Sequence, residues 1–224
     1  MESSMFEDKV LQEEKNEFFW RMCSSFLFIL IVVLLFWVPH MTFSVICWGT
    51  CAFMMREIFS NKVTKQMPLR LLMATFCCIG TGSFIYCREH LGQWGCVFLI
   101  CVSSFTDIGA YSFGKILKGP KLCPRISPKK TWAGVVGGIF LGNVISYCLK
   151  SPFFQMERTF VVDFWTIQMI ILASIGGDLL ESWFKRKIRV KDMGNLFPGH
   201  GGILDRLDSL LLSSVVLAIM GVLY

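Results

Sequence analysis

The sequence predicts an all-α, polytopic integral membrane protein of about seven transmembrane helices, with its active-site loops on the cytoplasmic side. Three observations carry this expectation. Of the 224 residues, 54% are hydrophobic, and the mean hydropathy is +0.58. Only 17% are charged, where a soluble domain carries about a quarter. The apolar residues also fall in blocks long enough to cross most or all of a hydrocarbon core of about 30 Å. The net charge of +6 would suit a nucleic-acid binder, but the basic residues gather in short connections between apolar blocks, so no nucleic acid is expected.

The blocks are Cys23–Val38, Met41–Met55, Leu71–Cys87, Leu91–Phe105, Ala133–Leu149, Phe164–Leu180 and Leu204–Tyr224. Several fall short of the roughly 20 residues of a spanning helix, so flanking residues or neighbouring helices must complete them. Lysine and arginine set the orientation. With the N-terminus inside, all but Arg88, Lys150 and Arg158 of the 22 lie in inside segments, which puts the C-terminus outside. The start, Glu2 to Lys15, is acidic and polar, so a removable signal peptide is not expected. The 10 cysteines lie mostly within the apolar blocks, form no C-x-x-C pair, and read as small packing residues.

Two regions follow. Residues 1–105 form an N-terminal membrane region of about four lipid-facing spans, and 106–224 a catalytic membrane region with two inside loops. Those loops, Asp107–Trp132 and Lys185–Gly202, are long, basic and rich in Gly and Pro, as functional loops are. The segment Arg56–Arg70 is also basic, but it lacks glycine and an acidic constellation and reads as a topology signal.

On a helix, Asp178, Glu181, Ser182 and Lys185 share one face at i, i+3, i+4 and i+7. A carboxylate at the edge of a membrane must pair, bind a cation or face water. The plain alternative is a structural pairing of Asp178 with Lys185. The last block opens with a second acidic pair, Asp205 and Asp208, with Ser209 alongside. Between the two lies a glycine-rich loop whose backbone N–H groups can approach an anion closely. Hard oxygen ligands from two helix ends suit Mg²⁺ together with phosphate oxygens, so the spacing predicts a phosphate-handling metal site. His200 beside glycines reads as an orienting residue. Gly109 to Lys115 formally matches G-x-x-x-x-G-K, but Ile116 follows the lysine and an apolar span precedes it, which excludes a P-loop. Arg125, Ser127, Lys129, Lys130 and Thr131 suit a polyanion; a solvated positive-inside loop is the alternative.

The run Ser182-x-x-Lys185-Arg186, Lys191-Asp192-x-Gly194, Pro198-x-His200-Gly201-Gly202-Ile203-x-Asp205-Arg206-x-Asp208 resembles the signature of the phosphatidate cytidylyltransferase (CDP-diacylglycerol synthase) family. Ser127-Pro128-Lys129-Lys130-Thr131-Trp132 and Asp107-x-Gly109-Ala110-Tyr111 resemble two further elements of it. The likeness covers Thr106 to Ser209. Two departures stand out: Ala133 replaces the Glu or Gln that members often carry, and many members have additional N-terminal spans.

The resemblance implies transfer of a cytidylyl group from CTP to phosphatidate, giving CDP-diacylglycerol and pyrophosphate in phospholipid biosynthesis. It implies Mg²⁺, with a second metal or a monovalent cation as a possible companion, at the cytoplasmic face of a bacterial cytoplasmic membrane. Asp178 and Asp205 are then the leading metal ligands, with Asp208 supporting, and Lys185 completes the catalytic set. Ser127, Lys129 and Lys130 would hold a substrate phosphate and Arg206 neutralise its oxygens, with Asp107, Arg125, Thr131, Ser182, His200, Gly201 and Gly202 lining the substrate site. The partners are CTP, phosphatidate and membrane lipids, with a homodimer as a possible assembly. The alternatives are a CTP-dependent transferase or kinase acting on an isoprenoid lipid and, less in keeping with acidic residues gathered near one face, an ion-coupled transporter.

Overall fold

The computed structural model describes residues 37–60, 67–150, 164–190, 193–194 and 202–223. Six helices account for most of them: α1 His40–Ser60, α2 Met67–His90, α3 Gly92–Leu117, α4 Trp132–Lys150, α5 Phe164–Lys187 and α6 Leu204–Leu223. Between α3 and α4 lies a small hairpin, β1 Lys121–Cys123 and β2 Ser127–Thr131. The helices coincide with the second to seventh apolar blocks. The first block, apart from its last two residues, lies outside the described residues.

Helices α2, α3, α4 and α5 are long and apolar enough to cross a membrane. The first turns of α6 carry Asp205, Arg206 and Asp208, which leaves it no long uncharged window.

The expected loop from Asp107 to Trp132 is half helix. Helix α3 has 26 residues, about 39 Å at 1.5 Å per residue, longer than a hydrocarbon core of about 30 Å. It therefore carries Asp107 to Leu117 onward in helical form. Gly109 and Gly114 do not break it, because they serve a helix crossing. The helix stops where Lys118 and Gly119 take positive φ values of 55° and 100° and Pro120 follows. The hairpin then pairs Lys121 with Thr131 and Cys123 with Ser127, antiparallel. Thr131 ends the hairpin as the N-cap of α4: its Oγ1 accepts a hydrogen bond from the Gly134 N–H at 3.1 Å. Helix α5 likewise outruns its apolar block and continues to Lys187.

Small residues bring the backbones together, as in other membrane bundles. At the crossing of α3 and α4, a Cβ on Gly138 would lie 3.0 Å from the Thr106 carbonyl oxygen, and one on Gly109 would lie 3.1 Å from the Cα of Gly138. At the crossing of α5 and α6, a Cβ on Gly177 would lie 2.9 Å from the Cα of Ser209. Hydroxyls of α6 bond across to its neighbours. Ser103 Oγ on α3 donates to Ser213 Oγ at 3.2 Å, Ser213 Oγ to the Ile170 carbonyl of α5 at 3.5 Å, and Ser214 Oγ to the Gly80 carbonyl of α2 at 2.8 Å. Gln168 Nε2 donates to Asn143 Oδ1 at 2.6 Å, joining α4 to α5.

Two buried apolar clusters frame the bundle. One, around Phe98, Leu99, Val102, Ile170, Ile171 and Leu217, joins α3, α5 and α6. The other, around Met54, Ile58, Met73, Phe184, Met193 and Leu204, joins α1, α2, α5 and the start of α6. Cys47, Cys51, Cys77, Cys87 and Cys96 are buried as free thiols, whereas Cys78 and Cys148 are exposed.

Replacing a helical glycine by alanine ordinarily stabilises a helix by about 0.5–1 kcal/mol, whereas overpacking costs about 1–3 kcal/mol. Gly177→Ala should therefore lower the thermal midpoint in detergent. Gly82→Ala, whose Cβ would meet nothing within 4 Å, should hold or raise it. Equal midpoints for the two variants would refute the close crossing at Gly177.

Candidate active site

The end of the bundle that holds Lys185 and Asp205 collects the charged residues. Helix α5 presents Asp178, Glu181, Ser182 and Lys185 on one stripe, and the glycine crossing brings that stripe against the first two turns of α6. As a result Asp178, Glu181 and Asp208 each offer a carboxylate oxygen within 4.8 Å of the others. Glu181 is 2% exposed and Asp208 is 7% exposed, so the repulsion among these oxygens is weakly screened. The Asp208 Oδ1 accepts the Ser209 N–H at 2.8 Å. The Glu181 Oε1 is buried and accepts no hydrogen bond among the described residues.

Two lysines flank the carboxylates. Lys130, at the end of β2, bonds the Asp178 Oδ2 at 2.7 Å and reaches the Ile175 carbonyl at 3.5 Å. Lys185 lies between Glu181 Oε2 at 2.5 Å and Asp205 Oδ1 at 3.1 Å. Lys185 thus pairs with Glu181, one turn away, and the structural pairing weighed for it with Asp178 does not form. Two turns separate those residues by about 10 Å along the axis.

Asp205 occupies a different setting from the three clustered carboxylates. Besides Lys185, its carboxylate accepts the Met193 N–H at 3.2 Å and the Gly202 N–H at 2.8 Å. It ties the two ends of the glycine-rich loop to the first turn of α6. A third helix reaches the same rim, where Asp107 Oδ2 on α3 accepts the Ser209 hydroxyl at 2.9 Å. Ser182 Oγ lies 3.5 Å from Asp178 Oδ1.

The hairpin sits beside the last turn of α5, held where Arg186 Nε donates to the Ile126 carbonyl at 3.1 Å. Arg125 and Lys129 on the hairpin and Arg206 on α6 are exposed, and Ser127 is half-buried. Thr131 is buried and engaged as the cap of α4. Gly202 is buried, and His200 and Gly201 lie outside the described residues. Gly109 to Lys115 is continuous helix, in keeping with the exclusion of a P-loop.

Two residues stand out that the sequence reading did not place in the site. Glu181 was visible on the shared stripe of α5, and its burial between Asp178 and Asp208 adds it to the carboxylate group. Glu57, on α1, accepts the Ile203 N–H at 3.0 Å and the Leu204 N–H at 3.3 Å. No local pattern marks it, because its partners lie 146 and 147 residues away.

Asparagine at position 205 would keep the shape of the side chain while losing the ion pair with Lys185. Asp205→Asn is expected to lower the thermal midpoint and turnover together, with less effect on the midpoint of a divalent-metal titration than Asp208→Asn. A larger displacement in Asp205→Asn would place Asp205 among the metal ligands, as expected from the sequence.

Residues 60–224 match the model of the cytidylyltransferase family. A protein of Rickettsia conorii named phosphatidate cytidylyltransferase is 32% identical over 222 residues, covering 96% of this chain and 95% of that protein. A Brucella suis protein of the same name is 41% identical over 136 residues, which is 61% of this chain and 50% of that protein. A Mycobacterium leprae protein, again so named, is 36% identical over 132 residues and matched over 41% of its length. The chain thus spans nearly the whole of the Rickettsia relative and half or less of the other two. With the family match running through the hairpin and both acidic helices, the chain belongs to the cytidylyltransferase family.

Proposed function

We propose that this family member transfers the cytidylyl group of CTP to phosphatidate at the cytoplasmic face of the membrane, giving CDP-diacylglycerol and pyrophosphate. The observation that carries the reading is the group of three carboxylates converging at the polar end of an apolar bundle, where the Glu181 Oε1 has no hydrogen-bond partner among the described residues. Such a group is stable when it holds a cation, and oxygen-only ligands suit Mg²⁺. Asp178, Glu181 and Asp208 are the residues that would hold it. When bound, Mg²⁺ neutralises phosphate oxygens and the charge that develops on the leaving group.

A phosphate oxygen of phosphatidate attacks the α-phosphorus of CTP. One P–O bond forms as the bond from the α-phosphorus to the α–β bridging oxygen of CTP breaks, and pyrophosphate leaves with the electron pair. The attacking phosphate monoester is already largely ionised near neutral pH, so no general base is required.

The protein's share of the work is positioning and charge neutralisation. Lys130 and Lys185 place ammonium groups on the two sides of the carboxylates, where they meet phosphate oxygens. Arg125, Ser127 and Lys129 on the hairpin offer further groups to the triphosphate, and Arg206 faces the same end from α6. The apolar spans keep the acyl chains in the bilayer while the head group meets CTP at the rim. The concentration of lysine and arginine at this end, with Arg88 at the far end of α2, supports a cytoplasmic location of the site.

Purified protein incubated with labelled CTP, Mg²⁺ and a panel of lipids should label phosphatidate. Label on isoprenoid lipids alone would overturn the acceptor assignment. Asp178→Asn, Glu181→Gln and Asp208→Asn should each reduce turnover at least about a hundredfold and raise the metal concentration needed for half-maximal rate. Wild-type rates in any of the three under saturating Mg²⁺ would remove that residue from the metal site. His200→Ala should cost less than any of them, consistent with an orienting role.

A further inference from the structure

The N-terminus of α6 presents an accounting problem that its own sequence does not solve. The first N–H groups of a helix have no partner within it, and the residue at the cap position, Ile203, has no side-chain acceptor. The Arg206 N–H reaches back to the Ile203 carbonyl at 3.1 Å, which leaves the Ile203 and Leu204 N–H groups to be satisfied from elsewhere. Glu57 of α1 satisfies both, one with each carboxylate oxygen, at 3.0 and 3.3 Å. A negative charge there is also favoured by the helix dipole.

The two described ends of the loop lie against this carboxylate. A Cβ on Gly194 would lie 2.5 Å from the Glu57 Oε1, and a Cβ on Gly202 would lie 2.5 Å from the Glu57 Oε2. Glycine at both positions lets the two ends of the glycine-rich loop close over the glutamate. Asp205 accepts the neighbouring N–H groups of Met193 and Gly202. Two carboxylates, one from α1 and one from α6, therefore divide four N–H groups between them, those of Met193, Gly202, Ile203 and Leu204. Beneath them, Met54 and Ile58 of α1 share a buried cluster with Met193 and Leu204, which holds Glu57 at a set height. Glu57 lies three residues before the family match begins at residue 60.

We propose that Glu57 is a positioning residue of the active site, capping α6 from α1 and thereby setting where Asp205 and Asp208 stand relative to Asp178 and Glu181. Asp208 lies one turn beyond Leu204, so a shift or rotation of the first turn of α6 moves its carboxylate directly. The effect passes through the helix start, and Glu57 itself touches no reacting group. The inference rests on the active-site reading above.

The test compares full-length wild type, Glu57→Gln and Gly202→Ala in detergent with CTP and phosphatidate. It measures kcat, KM for CTP, the Mn²⁺ and Mg²⁺ concentrations at half-maximal rate, and the thermal midpoint without metal. An amide at position 57 keeps the length of the side chain but turns a donor toward one of the two N–H groups. Alanine at 202 pushes on the carboxylate without removing it. The expected result is a metal midpoint raised about tenfold and a kcat lowered about tenfold or more in both, with KM for CTP within about threefold of wild type, since the triphosphate contacts of the hairpin are untouched.

Asp208→Asn, run alongside, separates the two levels of inference. If Asp208→Asn displaces the metal midpoint and folded Glu57→Gln does not, Glu57 is not a positioning residue and the active-site reading stands. If Asp208→Asn leaves the metal midpoint in place, the metal site itself is wrong. Should Glu57→Gln fail to fold, Gly202→Ala decides by the same readouts, and loss of folded protein in both would make the contact a purely structural cap and overturn the proposal.

Discussion

Bringing carboxylates into an apolar bundle is the constraint on which the rest of this structure depends. Each ionised group taken from water carries a desolvation cost of several kcal/mol unless partners replace the lost hydration. Three of them within 4.8 Å of one another add mutual repulsion. The neighbourhood answers in two ways. Lys130 and Lys185 stand at the edges of the group, from two separate elements, and backbone N–H groups meet the aspartates that α6 carries. Among the described residues the Glu181 Oε1 has no hydrogen-bond partner, and a cation held with Asp178 and Asp208 would relieve both the repulsion and that oxygen at once.

That arrangement needs helix axes closer than ordinary side chains permit. Gly177 lets the carbonyl of Asp208 and the Cα of Ser209 lie against α5, one residue from Asp178, so the feature that closes the crossing also sets the spacing of the carboxylates. The glycines of α3 and α4 close a second crossing, and α3 in turn meets α6 where Asp107 accepts the Ser209 hydroxyl. The buried serines carry this packing further into the bundle. In a bilayer there is little hydrophobic drive between helices, so close backbone contact and interhelical hydrogen bonds have to supply the association. Small residues in this chain therefore serve stability and site geometry together.

The legible part of the fold was the set of apolar blocks, because a membrane imposes length and composition on any segment that crosses it. Six blocks reappear as helices, and Asp178, Lys185, Asp205 and Asp208 were legible because they lie within one or two turns of each other on two stripes. The ends of the helices were less legible. Apolar content falls at Phe105 and at Leu180, but hydrogen bonding within the helix continues in polar surroundings, so α3 and α5 run on to Leu117 and Lys187. Partnership across the bundle was the least legible. Lys130 with Asp178, and Glu57 with the start of α6, depend on how α1, α5, α6 and the hairpin pack, and no spacing along the chain encodes that. Thr131 shows the converse case: a hydroxyl in a basic segment suits a phosphate, yet its position immediately before a helix gives it a backbone partner first.

The segment from Ser182 to Asp208 takes on a different character in this setting. Its signature residues are only partly an inventory of reacting groups. Asp205 holds Lys185, Met193 and Gly202, and the loop glycines make room for a carboxylate that arrives from α1. Backbone N–H groups at the start of a helix attract anions, and here Glu57 and Asp205 meet those of Met193, Gly202, Ile203 and Leu204. Asp208, one turn beyond Leu204, stands instead with Asp178 and Glu181, beside Lys130 and Lys185.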